Sequence, residues 1–313
     1  NSWEELIRGH NWWLQDPEKR CFLPMSKQGR WQWYRIRFGP RMPLNFIRYG
    51  QVYGVMDQPT IFQHHCYCIQ PVKKFAAVLG DPVDHSMTPS FHYSFFAQYG
   101  MLVVAMPLKE SEFNECTMNQ LVEMGLTCAA VTAPLKQKVY EWLEATSGNI
   151  SEEALRLQSV NTLALSATES SGFNTDLMGL QGLLQAVDPQ TSCALWGGEG
   201  TRKAVQEVLP DIVCYSARTG KPKQESAPQD QVEQLIWAVG PQYRDTIKWP
   251  PNPWRPKIIY DLNYLENSLA KEYAMNTGAK YVSGLKMFVD QAKAQQKIWQ
   301  KVLGPSNTNS SVN

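Results

Sequence analysis

Residues 75–100 of the chain, FAAVLGDPVDHSMTPSFHYSFFAQYG, decide the fold class. The six apolar residues 75–80 have the length and composition of a buried strand. A polar loop follows, and then Thr88 and Pro89 predict a helix start, with Thr88 as the N-cap and Pro89 as the first helical residue. Gly100 predicts the end of that helix. The stretch therefore predicts a strand, a loop and a helix in succession.

The same alternation continues along the chain. Further β-like runs are predicted at residues 101–106, 129–132, 160–165, 193–196, 212–215, 234–239, 257–262 and 279–282. Stretches with helical spacing lie between most of them, as at 112–125, 177–187 and 268–278. Because alternating strands and helices are typical of parallel sheets covered by helices, the sequence predicts an α/β fold.

Composition excludes several classes of protein. The chain has 313 residues, enough for two domains, and 30 basic against 29 acidic side chains give a net charge of +1. This balance argues against a nucleic-acid or membrane-surface binder. No apolar run approaches the roughly 20 residues that span a bilayer. The odd number of cysteines, 7, is typical of a cytoplasmic protein of this size.

One local cluster contains potential metal ligands: His64, His65, Cys66 and Cys68. The chain has no second Cys/His pair at the spacing of a zinc finger. A linker or edge strand with buried thiols is therefore favoured over a metal site, and we expect no bound metal.

The loop at residues 80–89 is the first candidate binding site. It follows a strand and precedes a helix, and ligands of open α/β sheets bind at that edge. The hydroxyls of Ser86 and Thr88 suit a polyhydroxylated or carboxylated small molecule. The alternative is that Thr88 only caps its helix.

Two charged residues lie near the predicted starts of later helices. Lys136 falls in the first turn of a predicted helix, where a cation opposes the helix dipole. Taken alone, Lys136 is better interpreted as a solvated surface lysine. Asp176 comes directly before an apolar helix, which it can cap. It can also pair with Lys136, so that each holds the other charged and aligned for proton transfer.

Residues 194–204, ALWGGEGTRKA, form a degenerate dinucleotide-binding fingerprint of strand, glycine loop and helix. After the next strand come Arg218 and Lys221, where an acid would hold the ribose 2′-hydroxyl of NAD. Basic residues at this place fit the 2′-phosphate of NADP.

Taken in order, these motifs resemble one family, the shikimate dehydrogenases. Residues 80–92 resemble its G-x-P-x-x-H-S-x-S-P-x-x-H, residues 130–136 its N-V-T-x-P-x-K, and residues 160–162 its V-N-T. Residues 174–176 match N-T-D, residues 197–204 resemble G-A-G-G-x-x-x-A, and residues 284–292 resemble G-x-x-M-L-x-x-Q-A. The resemblance covers about residues 74–303.

The resemblance implies a two-domain α/β protein with its active site in the cleft between the domains. A substrate-binding domain would span residues 71–179, completed by a helix at 284–303, and a Rossmann-like NADP domain would span residues 180–283. Independently of the resemblance, the Ser- and Asn-rich composition of residues 304–313 predicts a disordered tail. The implied function is the reversible NADP-dependent reduction of 3-dehydroshikimate to shikimate in aromatic amino-acid biosynthesis.

The resemblance also implies the site residues. Lys136 and Asp176 match the catalytic pair. Shikimate would be held by Ser86, Thr88, Thr132, Asn161, Asp176 and Gln291, with Tyr264 as a further wall. The residues matching the NADP site are Gly197, Gly198, Gly200, Thr201, Arg218, Thr219, Lys221 and Gly284.

Three departures from the family pattern bear on both ligands. Ala130 stands where the family has a substrate-binding Asn, and Glu199 stands where it has a glycine facing the pyrophosphate. Glu199 would repel phosphate unless it turns outward or pairs with Arg202 or Lys203. Residues 237–239, Trp-Ala-Val, replace the family's N-A-T. Two alternatives therefore stay open: a relative that uses quinate or NAD, and a catalytically weak ligand-binding domain of a fused enzyme.

Residues 1–70 have a resemblance of their own. Residues 22–29, 38–39 and 58–60 resemble the C-terminal end of a type I 3-dehydroquinate dehydratase, and Ser2 with Glu5 predicts a capping box. The family's Schiff-base lysine and histidine would lie upstream, so no dehydratase activity is expected. Two βα units cannot close an eight-stranded barrel. The segment is then either the cut end of a fused dehydratase–dehydrogenase or a vestige packed on the dehydrogenase.

Overall fold

The computed structural model describes residues 2–50, 54–67, 72–83, 86–223 and 229–305. The described chain divides into two compact units. The first contains the residues up to Asn174 and those from Gln295 onward, and the second is Thr175–Ala294. The predicted boundary after residue 179 falls inside a helix, Asp176–Leu184, whereas the structure divides the chain just before that helix.

The first unit contains a six-stranded sheet in the order β2-β1-β3-β5-β6-β4. Its strands are β1 (Phe75–Gly80), β2 (Leu102–Pro107), β3 (Leu126–Val131), β4 (Asn149–Ile150), β5 (Thr162–Leu165) and β6 (Ser170–Phe173). Its helices are α1 (Trp3–Leu14), α2 (Gln32–Phe38), α3 (Ile61–Tyr67), α4 (Thr88–Ala97), α5 (Glu115–Glu123), α6 (Lys136–Ala145) and α7 (Glu152–Leu157). The predicted runs at 75–80, 101–106, 129–132 and 160–165 all become strands.

This sheet is mixed, whereas the sequence predicts parallel sheets. β1 runs parallel to β2 and β3, but β5 runs antiparallel to β3 and β6. A tight turn joins β5 to β6, with the Ser166 N–H donating to the Glu169 carbonyl at 2.8 Å. Such a short connection can only join antiparallel strands. Two strands were not predicted: β4, because it has only two residues, and β6, because it is rich in small polar residues.

The second unit contains a five-stranded sheet in the order β11-β10-β9-β7-β8, with parallel pairing throughout. Its strands are β7 (Cys193–Gly197), β8 (Val213–Tyr215), β9 (Gln234–Ala238), β10 (Ile258–Asp261) and β11 (Lys280–Val282). Its helices are α8 (Asp176–Leu184), α9 (Arg202–Val208) and α10 (Leu269–Thr277), and α11 (Leu285–Leu303) begins in it. The chain order reverses at β7, so its carboxyl end is a topological switch point.

The predicted N-cap Thr88 is wrong, and the possibility that Asp176 is an N-cap is not observed either. Thr88 is the first residue of α4, with Met87 as the N-cap, and the Thr88 N–H donates to Ser86 Oγ at 3.2 Å. Asp176 is the first residue of α8, with Thr175 as the N-cap. In both cases the chain turns into the helix one residue earlier than the hydroxyl or carboxylate suggests. The predicted capping box of Ser2 and Glu5 is confirmed.

Gly100 ends the α4 segment as predicted. It has φ +62°, and the Met101 N–H donates back to the Phe96 carbonyl at 3.1 Å. The left-handed backbone at Gly100 lets that hydrogen bond close the last turn of the helix.

The N-terminal segment packs on the first sheet as helices. Trp33 of α2 is 1% exposed and lies between Trp3 and Phe75, with ring centroids 6.2 and 6.3 Å away. The expected βα units are wrong, since the described part of residues 2–67 contains helices and one isolated bridge, between Arg48 and Thr60. Burial of aromatic side chains against β1 holds this segment in the first unit. Among the helices of the described ranges, none is both long and apolar enough to span a bilayer.

Candidate functional site

The loops after β1 and β3 meet at one edge of the first sheet. A Cβ on Gly80 would overlap Thr132 Cγ2 and lie 2.8 Å from the Ala133 carbonyl oxygen, so only glycine allows this approach. The Thr132 N–H donates to the Leu79 carbonyl at 2.9 Å. The loop that carries Ser86 therefore lies beside the turn that leads from Thr132 into α6.

Lys136 and Asn161 lie at the same edge. The Val160 N–H donates to the Lys136 carbonyl at 3.0 Å, and the Val131 N–H donates to the Asn161 carbonyl at 2.8 Å. Lys136 is half-buried as the first residue of α6, and Asn161 is 2% exposed directly before β5. The structure thus brings together Thr132, Lys136 and Asn161, which come from two separate motifs, residues 130–136 and 160–162.

In the second unit, Asp176 and Gln291 lie on packed helices. A Cβ on Gly179 of α8 would lie 2.6 Å from the Met287 carbonyl oxygen and 3.3 Å from Gln291 Cβ, so Gly179 permits close contact with α11. Asp176 is buried three residues earlier, on the same side of α8. Tyr264 packs on Phe288 of α11 with ring centroids 4.8 Å apart. Lys136 belongs to the first unit and Asp176 to the second, and their pairing stays a prediction.

The glycine loop after β7 has a backbone that requires glycine. Gly197 has φ +86° and Gly198 has φ +70°. A Cβ on Gly197 would overlap Val239 Cγ2, and one on Gly198 would lie 2.6 Å from Ala238 Cβ. The N–H groups of Thr201 and Arg202 both donate to the Gly198 carbonyl, at 3.0 and 2.8 Å. A Cβ on Gly200 would meet only open space, so a ligand can approach the backbone there.

A basic turn follows β8, the strand beside β7. The Gly220 N–H donates to the Ser216 carbonyl at 2.7 Å, which closes the turn and leaves Arg218, Thr219 and Lys221 exposed. Gly284 follows β11 and packs against the end of β10, where a Cβ on Gly284 would stand 2.7 Å from the Asp261 carbonyl oxygen. The predicted NADP residues are therefore found on the loops that follow β7, β8 and β11.

Glu199 is held by two cations. Its Oε2 lies 2.5 Å from Lys223 Nζ, and its Oε1 lies 4.0 Å from Arg202 Nη2. The hydrogen bond from Lys223 lowers the pKa of the Glu199 carboxyl, although its side chain is 78% exposed. Of the alternatives left open, the structure shows an outward-turned Glu199 side chain that also pairs with Arg202. The pairing with Lys223 was not predicted, because Lys223 comes 24 residues later and lies in no motif.

The other two departures from the family pattern are buried. Ala130 is 6% exposed in an apolar cluster with Val78 and Ala164. Trp237 is fully buried, and its Nε1–H donates to the Val239 carbonyl at 3.0 Å. Both side chains therefore serve as core residues of their sheets.

The cysteine and histidine cluster gives no support to a metal site. Across the described parts of the chain, no group of three or more His, Cys, Asp or Glu side chains could hold a metal ion. Cys68, like His85 of the first loop and the predicted tail residues 306–313, lies outside the described residues.

The second unit has the features of a dinucleotide-binding domain: an open parallel sheet with a glycine loop at its switch point and a basic turn beside it. The first unit presents hydroxyl, amide and ammonium groups at one sheet edge. These features define the class of two-domain α/β dinucleotide-dependent enzymes.

Comparisons with known proteins point to one family within this class. Residues 78–163 match the family model described as the shikimate dehydrogenase substrate binding domain. A relative named shikimate dehydrogenase, from Sulfurisphaera tokodaii, is 26% identical over 250 residues, which cover 72% of this chain and 89% of the relative. Another, named shikimate dehydrogenase (NADP(+)), from Maridesulfovibrio salexigens, is 28% identical over 253 residues, which cover 72% of this chain and 91% of the relative.

Solved structures share the fold. Shikimate dehydrogenase 1 from Peptoclostridium difficile superposes with a TM-score of 0.60 at 23% identity, covering 75% of this chain and 94% of that one. The Thermus thermophilus shikimate 5-dehydrogenase in complex with NADP(H) and shikimate gives a TM-score of 0.55 at 21% identity, covering 74% of this chain and 95% of that one. The chain thus has the two-domain fold of these enzymes, and the relatives and the matched domain support the shikimate dehydrogenase family.

Proposed function

We propose that this chain is an NADP-dependent shikimate dehydrogenase, which interconverts 3-dehydroshikimate and shikimate. The observation that carries the proposal is the meeting of Thr132, Lys136 and Asn161 at one sheet edge, inside the residues that match the substrate-binding domain. The relatives named as NADP-dependent shikimate dehydrogenases support the same conclusion.

The substrate is a hydroxylated carboxylate, and the proposed residues suit it. Hydroxyl groups of Ser86, Thr88 and Thr132 both donate and accept hydrogen bonds, and the amides of Asn161 and Gln291 offer both kinds of group as well. These partners orient the ring so that the carbon to be oxidised or reduced is held in one place. Tyr264 is the further wall of the site in this proposal.

The second unit fits NADP. Positive φ angles at Gly197 and Gly198, and the open space at Gly200, suit a backbone that approaches a pyrophosphate. Exposed Arg218 and Lys221 suit the 2′-phosphate. Bound NADP accepts or supplies the hydride.

Lys136 moves the proton that accompanies the hydride. As the substrate carbonyl becomes an alkoxide, the Lys136 ammonium donates a proton to its oxygen, and in the reverse direction the amine accepts the hydroxyl proton. In this proposal Asp176 of the second unit orients Lys136 and the substrate hydroxyl. Loss of Lys136 should therefore lower turnover more than substrate affinity.

The test measures NADP reduction by the purified chain with shikimate. Parallel assays use NAD in place of NADP and quinate in place of shikimate. Lys136→Ala should lower kcat by about 10²- to 10⁴-fold. The matched control is Lys138→Ala on the same helix, where Lys138 is 44% exposed and pairs with Glu141 at 3.7 Å. Both variants should keep the wild-type circular dichroism spectrum.

Each outcome decides between the alternatives. Turnover with quinate or NAD but not with shikimate and NADP would identify the chain as a relative of different specificity. No turnover by folded protein with any combination would favour a binding domain. Wild-type turnover in Lys136→Ala would remove Lys136 from the mechanism. A fused upstream dehydratase and a cytoplasmic location stay predictions.

A further inference from the structure

A chain of buried polar side chains connects Asn161 to α4 and α11 in the first unit. Asn161 is 2% exposed, Thr162 and His92 are 0% exposed, and Gln295 is 4% exposed. His92 lies on α4, the helix that follows Ser86, and Gln295 lies on α11. Because buried polar groups are costly unless they are hydrogen-bonded, the partners of each atom define its orientation.

The protonation of His92 determines which atoms of the series donate and which accept. Burial lowers the pKa of His92 to about 4, so the imidazole is neutral at pH 7 and has one donor and one acceptor. His92 Nε2 lies 3.2 Å from Gln295 Oε1, an oxygen that can only accept, so Nε2 carries the hydrogen. His92 Nδ1 then accepts from Gln296 Nε2 at 3.1 Å.

The same direction continues to Asn161. Gln295 Nε2 donates to Thr162 Oγ1 at 3.1 Å and to the Asn161 carbonyl oxygen at 3.2 Å. Thr162 Oγ1 donates its own hydrogen to Asn161 Oδ1 at 2.7 Å. The side-chain oxygen of Asn161 is therefore held toward Thr162, and its nitrogen end lies on the other side of the amide.

We propose that Thr162, Gln295 and His92 are positioning residues, which hold the Asn161 amide so that its nitrogen donates to a substrate oxygen. The proposal rests on the proposed function, since it takes Asn161 as a substrate-binding residue. Four hydrogen bonds run in one direction from Gln296 through the side chains of these three residues to Asn161. A purely structural role would not require that common direction, nor an end on a residue of the substrate edge. Without Thr162, the amide could rotate by half a turn and present its oxygen instead.

The test is Thr162→Val, which keeps the shape of the side chain and removes the hydroxyl. We expect KM for shikimate to rise about tenfold, the effect of one misplaced hydrogen bond. The kcat should stay within about twofold, since a contact made equally in the ground and transition states affects binding alone. KM for NADP should not change. Thr162→Ser keeps the hydroxyl and should restore the wild-type KM.

Thr117→Val is the matched control, because Thr117 is also buried, 2% exposed, and its hydroxyl donates to the Glu112 carbonyl at 2.7 Å. It should lower stability without changing KM. If Thr162→Val does not fold, Gln295→Met removes the preceding donor and should raise KM in the same way.

Asn161→Ala separates the two proposals. In that background Thr162→Val should cause no further rise in KM, because the amide that it positions is absent. If Asn161→Ala raises KM and Thr162→Val does not, the positioning role is wrong and the substrate role of Asn161 stands. If neither changes KM, Asn161 is not a substrate residue. If wild-type protein does not act on shikimate, the proposed function itself fails.

Discussion

Removing the charge of Glu199 should tighten NADP binding. Glu199 stands in the glycine loop, where its carboxylate is ionised at pH 7 as an ordinary glutamate is, and the hydrogen bond from Lys223 lowers its pKa further. The carboxylate neutralises part of the positive charge of Lys223 and Arg202. Glu199→Gln keeps the size of the side chain and leaves both cations for the phosphates of NADP.

The size of the expected change in Kd follows from the solvent exposure of Glu199. The Glu199 side chain is 78% exposed, so its field acts largely through water. In water, two unit charges about 6 Å apart interact by roughly 0.7 kcal/mol, and the two charges of a pyrophosphate give about 1.4 kcal/mol. That energy corresponds to a change of about tenfold in Kd. Rearrangement of the exposed side chain reduces the effect, so we expect Kd for NADP to fall about three- to tenfold.

The assay is fluorescence titration of NADPH into wild-type protein, Glu199→Gln and Glu207→Gln. Glu207 is exposed on α9 outside the glycine loop, so Glu207→Gln changes the net charge equally. The gain in Glu199→Gln should shrink between about 0.05 and 1 M salt, because salt screens exposed charges. Equal Kd values in wild-type protein and Glu199→Gln, or equal gains in both variants, would refute the reasoning.

Two further predictions concern stability. Burial lowers the pKa of His92 from 6.5 to about 4, so the unfolded chain binds a proton more readily, and stability is lost as pH falls from about 6.5 to about 4. Between pH 7.5 and 5, His92 should account for about 2 kcal/mol of the decrease in the free energy of unfolding measured with urea. His92→Gln should remove this part of the decrease. The same decrease in His92→Gln as in wild-type protein would contradict the prediction. Trp33→Ala should lower the free energy of unfolding by about 3–5 kcal/mol, because it empties the space between Trp3 and Phe75. The control is Trp12→Ala, at a position 46% exposed, which should lower the free energy of unfolding by less than about 1 kcal/mol. If Trp33→Ala lowers it no more than Trp12→Ala does, the N-terminal segment is not part of the core.

Strands and ligand loops were predictable because their signals are local. The apolar runs 75–80 and 193–196 become β1 and β7, and the glycines at 197 and 198 have the positive φ angles that such a loop needs. Lys136 starts its helix where the sequence places it. In each case a few neighbouring residues determine the backbone, so no distant contact is required.

Contacts between distant residues could not be predicted. The Gln295–Thr162 hydrogen bond spans 133 residues, and the Glu199–Lys223 pair spans 24. The helical packing of the N-terminal segment, where βα units were expected, likewise depends on Trp33 meeting Phe75. The sequence by itself determined the order of strands and helices and the residue types at the ends of the strands. Only the tertiary structure decided which polar atoms face one another, because burial makes each of them take the partner that packing brings within reach.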